Sequence, residues 1–204
     1  MMMRLLLALV AATGFAFPAH AEITKTAANG FTVRHQAVVL ASPEEVWKNL
    51  IAPSRYWNKD HSWSGNSENF YLVAQAGGCF CELIRKSGDD NIRTASGSVQ
   101  HMRVIFVNRG ETLRMSGALG PLQGEALTGT LTIMLKPDGD STVVQFTYKV
   151  GGYMEFEMDQ IAPAVDGVIG EQLTRLAALH GSAAQEEKPD EGKGTADDDE
   201  ESAS

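Results

Sequence analysis

Cysteine is nearly absent from this chain. It has two, Cys79 and Cys81, in the stretch Gly77-Gly78-Cys79-Phe80-Cys81-Glu82. Two cysteines cannot build the disulfide framework of a small secreted scaffold, and no C-x-x-C spacing occurs. Histidine is also sparse. His35, His61 and His101 each stand alone in their local sequence, without the H-x-x-x-H spacing of a zinc site. No G-K-[ST] ending follows any glycine-rich run, which excludes a Walker phosphate loop. No G-x-S-x-G elbow occurs, and no nucleophile stands beside an evident base. Basic residues are in deficit, 17 against 26 acidic, so the chain lacks the electrostatic footprint of a nucleic-acid-binding protein.

Long apolar runs are missing too, except at the start. Arg4 is followed by an apolar run from Leu5 to Phe17 and by Ala19-His20-Ala21, an A-x-A cleavage signature. Residues 1–21 are therefore expected to be a secretory signal peptide, cut near Ala21, with the mature protein periplasmic or secreted. No second stretch approaches a membrane helix, so no stable membrane insertion is expected. From Gly181 to Ser204 the chain carries nine acidic residues against two lysines and no large apolar side chain. Such a segment cannot bury enough surface to offset its ordering entropy, and residues 181–204 read as a disordered acidic tail. The tail could bind cations or a basic partner; the simpler role is solubility.

What remains suffices for one domain, able to bury about 70% of its unfolded surface without crosslinks. Residues 22–30 read as a lead, and 31–180 as the domain. Phe31–Leu40 alternates as a strand, with Arg34 and Gln36 on one face and Val33, His35, Ala37 and Val39 on the other. Ser42-Pro43-Glu44-Glu45 then opens a helix: Ser42 suits the N-cap, Pro43 the first turn, and Glu45 completes a capping box. Strands follow at Phe70–Ala74, Cys79–Arg85, Arg93–Val107, Thr112–Ala118, Ala126–Lys136 and Thr142–Val150, with a hairpin turn at Pro137–Asp140. Val165, Val168, Ile169, Leu173, Leu176 and Leu179 form the stripe of a long last helix. The fold class is α+β: a curved antiparallel sheet of six to seven strands wrapped around a C-terminal helix.

Several stretches together resemble the helix-grip superfamily called SRPBCC, or START/birch-pollen-allergen-like. They are Ser42-Pro43-Glu44-Glu45-Val46-Trp47, Tyr56-Trp57, Gly77-Gly78-Cys79-Phe80, Leu127-Thr128-Gly129-Thr130-Leu131 and the closing helix. The branches most similar are the heat-shock ATPase activator homologues and the polyketide cyclase/dehydrase-like proteins. The resemblance spans nearly all of 31–180. It implies an apolar cavity between sheet and last helix for a small hydrophobic ligand such as a lipid, a polyketide or an aromatic metabolite. It implies no cofactor and brings no family-specific catalytic set.

On a strand, Cys79 and Cys81 project to one face with Cα atoms roughly 6.6 Å apart. That is the far edge of disulfide geometry, and neither a disulfide nor a zinc site is favoured over two buried free thiols. Glu82 alternates with them and is expected to face water, which turns Cys79, Cys81 and Leu83 towards the cavity. His35 is either a polar anchor in the pocket or a satisfied core histidine. Trp57, His61 and Trp63 crowd a polar segment and could gate the cavity or pack on the sheet edge. Met115 and Tyr148 fall on cavity-facing strand positions, Tyr153 on the rim, and Val165 and Ile169 on the helix. Gly117–Gly124, with leucines expected to be exposed, reads as a hairpin connection or a lid.

Three functions are compatible with these features. The first is an exported protein that binds a small hydrophobic or amphipathic ligand. The second is a cyclase/dehydratase- or hydrolase-like enzyme using His35 or His61 as acid–base in the same cavity. The third is a protein-interaction module whose partner the sequence does not name.

Overall fold

The computed structural model describes residues 22–85 and 96–180; the expected signal peptide and acidic tail lie outside the described residues. Eight strands form one antiparallel sheet: β1 (Glu22–Ala27), β2 (Gly30–Val39), β3 (Phe70–Leu72), β4 (Cys79–Ile84), β5 (Gly97–Asn108), β6 (Thr112–Gly117), β7 (Leu127–Asp138) and β8 (Ser141–Gly152). The spatial order is β1-β2-β8-β7-β6-β5-β4-β3. Among the described residues two α-helices complete the fold, α1 (Pro43–Leu50) and α2 (Met158–Ala178). This is a helix-grip fold.

Eight strands replace the six to seven expected, and the addition falls in the supposed lead. Residues 22–27 pair with β2, with Ile23 opposite Val33. Ile23 is the one large apolar residue of Glu22–Ala27, too little for a period-two signal.

Hydrophobic alternation builds the inner face in rows. Val33, Tyr148, Leu131, Met115 and Val104 lie opposite one another across five strands. His35, Phe146, Ile133 and Leu113 form the next row. All are buried; α2, whose Ile169, Leu173 and Leu176 belong to the same core, packs over the β2 and β8 members. Burying each such side chain is worth roughly 1.5–3 kcal/mol. Helix α2 crosses the β1-β2-β8 end of the sheet. The other end is covered by a strap, residues 53–69, containing three single-turn 3-10 helices.

The Ser42 capping box forms as its spacing demands: Ser42 N–H donates to Glu45 Oε2 at 2.9 Å, and Glu45 N–H to Ser42 Oγ at 3.4 Å. Strand β5 carries two register shifts. Phe80 pairs with Met102 but Cys81 with Gln100, leaving His101 over. Val104 pairs with Met115 but Phe106 with Arg114, leaving Ile105 over. Such bulges bend a strand and reset which side chains face inward. No helix among the described residues is long and apolar enough to cross a membrane.

Candidate functional site: the interior between sheet and last helix

His35 sits on β2 under α2. Its side chain is 1% exposed, and its Nε2 lies 2.8 Å from Asp166 Oδ1. The ring packs so closely on the helix that a Cβ at Gly170 would meet its Cε1 at 2.6 Å. With Nε2–H donated to Asp166, Nδ1 is left as an acceptor, and it is buried without a partner. Gln172, also on α2, is wholly buried. Its Oε1 accepts the Asn58 N–H at 2.8 Å, but its Nε2 has no partner. Two unsatisfied buried groups, each costing about 1–3 kcal/mol, therefore belong to the helix–sheet interior.

Tyr148 lies centrally on β8. Its ring fills the place a side chain at Gly129 would take, 2.4 Å from a built Cβ. Its hydroxyl accepts from Leu119 N–H and donates to the Gly117 carbonyl, both at 3.3 Å. Burial pushes the phenol well above its ordinary pKa. Leu119 and Leu122, expected to be exposed on a lid, are buried, because the Gly120–Gly124 turn folds them inward.

The second buried polar pair was not foreseen. Glu82 is wholly buried rather than water-facing. Its carboxylate accepts His101 Nε2–H at 2.9 Å and the N–H groups of Trp63 (3.1 Å) and Ser64 (2.5 Å). Phe70 and Phe80 flank the imidazole, with centroids 5.2 and 5.3 Å away, and Trp57 packs on Phe80 at 5.0 Å. Burial holds the His101 pKa below its ordinary value, outweighing the neighbouring carboxylate. The first β5 bulge accounts for this pair, since it leaves His101 and Met102 both buried.

The parity of β4 is thus the reverse of that expected. Phe80 and Glu82 point in; Cys79, Cys81 and the half-buried Leu83 occupy the outward positions. The two cysteines are joined in a disulfide, not free thiols, and their Cα atoms are 5.4 Å apart.

The remaining candidates separate. Met115, Tyr148 and Ile169 are buried on the inner face, and Val165 is half-buried on α2. Trp57 is buried in the aromatic cluster. His61 lies outside it, its Nε2 2.8 Å from Glu171 Oε2 on α2. Trp63 and Tyr153 are 55% and 67% exposed and do not touch the interior as lining. Residues missed at the sequence level, Asp166, Gly170, Gln172 and Glu82, act through partners distant in the chain, which no local pattern reveals.

The interior is filled in this conformation. Val33, Leu113, Leu131, Phe146, Tyr148 and Leu173 have no surface that a water molecule could touch. Two concavities lie elsewhere on the described surface. One, of about 590 Å³, runs between Ser42–Glu44 and Arg109–Glu111; the other, of about 350 Å³, lies at the β1-β2-β8 end near Lys25 and Lys149.

Solved structures share this architecture. A protein from Rhizobium leguminosarum, described as a putative uncharacterized protein, matches with a TM-score of 0.52 at 14% identity, covering 80% of this chain and 97% of that one. Mll3558 from Rhizobium loti matches with a TM-score of 0.51 at 19% identity, covering 73% and 96%. A point mutant of Thalictrum flavum norcoclaurine synthase, in complex with a transition-state analogue, matches with a TM-score of 0.49 at 15% identity, covering 76% and 96%. At these identities the likeness is one of fold. No family model and no curated protein matches the chain.

Proposed function

We propose that this chain is an exported binding protein that holds a small amphipathic molecule between the sheet and α2. The observation that carries this reading is the pair of buried, unpartnered atoms on β2 and α2, His35 Nδ1 and Gln172 Nε2. The first needs a donor and the second an acceptor, so a hydroxyl-bearing ligand, which can do both, would complete what the protein leaves open. Apolar burial would supply most of the affinity. Because the interior is filled, entry displaces side chains, and Met102 and Met115 are the unbranched, adaptable ones on the inner face. Export rests on the signal-peptide features of residues 1–21.

A second reading uses the same pair. A histidine oriented by a carboxylate, with its other nitrogen free, is the arrangement of a general base. His35 and Asp166 have it, which favours a cyclase- or hydrolase-like enzyme over other enzyme classes.

Native mass spectrometry of protein purified from its own host, with an organic extract alongside, tests the binding reading. We expect a stoichiometric extra mass that extraction releases. In titrations with 1-decanol and decane, the alcohol should bind more tightly, and Gln172→Leu should remove roughly tenfold of that preference. A bare polypeptide mass together with no alcohol binding would overturn the proposal. Ligand retained by His35→Ala with turnover lost would transfer it to the enzyme reading.

A further inference from the structure

We propose that the outer face of the sheet is a docking surface for the chain's own acidic C-terminal segment, residues 181–204. The outward strand positions are the complement of the buried rows. One row reads Lys25, Thr32, Lys149, Thr130, Ser116, Arg103, running through six neighbouring strands. The next holds Arg34, Thr147, Thr132 and Arg114. Lys136 lies nearer the β7–β8 turn, opposite Val143. These outward positions carry six cations; the acidic residues at the same register positions are Glu22, opposite Arg34 at the start of β1, and Asp138 at the turn itself.

None of the six cations forms an ion pair among the described residues. Arg114 alone has polar and ring company, donating to Thr132 Oγ1 at 3.0 Å and lying 5.5 Å from the Phe106 centroid. A protein of net charge −9 thus keeps a face on which cations outnumber acidic residues by six to two. Like charges about 10–14 Å apart, two or three strand spacings, repel across such a face at low salt.

The acidic segment matches that face in sign, spacing and reach. Asp197-Asp198-Asp199-Glu200-Glu201 is an unbroken run of five carboxylates. In extended form it spans roughly 13 Å, comparable to the separation of the cations. The segment departs from the end of α2, where His180 Nε2 lies 2.9 Å from Asn49 Nδ2 on α1. Helix α1 stands at the turn end of the β7–β8 hairpin, where Thr142 Oγ1 donates to the Ala41 carbonyl at 2.6 Å. Lys136 is at that same end. The residues between His180 and Asp197 reach about 50 Å when extended, more than the roughly 40 Å length of a twelve-residue strand. Hydroxyl-bearing threonines between the cations add hydrogen-bond donors for carboxylates.

Zero-length carbodiimide crosslinking of the full chain tests this, using an equal mixture of ¹⁴N- and ¹⁵N-labelled protein. We expect carboxylates of residues 186–201 to join Lys25, Lys136 and Lys149 within single chains. The yield should fall about tenfold in 1 M NaCl, where the Debye length shrinks to about 3 Å. It should fall comparably in a variant with Arg34→Gln, Arg103→Gln and Arg114→Gln, which leaves the reporting lysines intact. If that variant loses its circular dichroism spectrum, the salt series on the natural chain decides alone. Crosslinks to Lys59, off this face, in equal yield would overturn the proposal. So would crosslinks of which half join chains of different isotope, the statistical share for contacts between chains, which would place a second copy's segment there. Tail crosslinks absent while phosphatidylglycerol vesicles bind the face would overturn it in favour of a membrane.

Discussion

Gly170 and Gly167 lie one turn apart on α2 and do opposite things. A Cβ at Gly170 would meet the His35 ring at 2.6 Å, with backbone on both sides fixed by packing. A Cβ at Gly167 would meet nothing within 4 Å. Gly170→Ala should therefore destabilise the protein by about 1–3 kcal/mol, the usual cost of overpacking. Gly167→Ala should stabilise it by up to about 1 kcal/mol through helix propensity. Urea denaturation reads both, and like signs would contradict the packing described.

His101 makes acid the weak side of the molecule. In the unfolded chain its imidazole takes a proton as pH falls through about 6.5. In the folded chain burial lowers that pKa, so the ring stays neutral to lower pH. Across this window the unfolded state binds more protons, so stability is fully present above about pH 6.5 and declines below it. His180 is shifted in the same direction by partial burial. The drop in melting temperature between about pH 7.5 and 5.5 should be smaller in His101→Gln than in the natural protein. An equal drop would mean that His101 is not the group responsible.

At the level of elements, the strap is held from two sides. Glu82 grips its Trp63 and Ser64 amides from β4. From α2, Glu171 accepts from Asn58 Nδ2 at 2.5 Å and pairs with His61, while Arg175 Nε donates to the Tyr56 carbonyl at 2.6 Å. Residues 53–69 lack long strands or helices of their own, so these ties set their order. Glu171→Ala with Arg175→Ala should raise amide exchange across the strap at least tenfold while leaving β7 and β8 protected. Exchange spread evenly over the sheet would show instead that α2 itself had come loose.

How far such elements could be read in advance follows their chemistry. The capping box at Ser42, the β7–β8 hairpin and the α2 stripe were legible because each depends on residues within four positions of one another. Strand β1 was not, since a mostly polar strand shows no alternation until its partner is known. Strand β4 was placed but turned over. Glu82 looks like a surface residue, and only His101, brought inside by a bulge, makes burying it tolerable. The strap's ties to α2 join residues more than a hundred positions apart and leave no local trace.

At the scale of the whole molecule, the chain separates its charges. The inner face excludes water and keeps two histidine–carboxylate pairs. The outer face holds cations, and nine of the 26 acidic residues, against two lysines, follow α2. These are independent surfaces, so ligand uptake and tail docking can be tested without disturbing each other.

The seam between β2 and β8 has a consequence in time. These neighbours in the sheet are separated in sequence by everything from α1 to β7. At translation rates of about 5–20 residues per second, β2 waits roughly 5–20 s for its partner to be synthesised. Until then the nascent chain holds only local hairpins and has no closed sheet. A polypeptide that cannot lock before its last quarter exists remains easy to thread through a narrow channel, which suits the export proposed above.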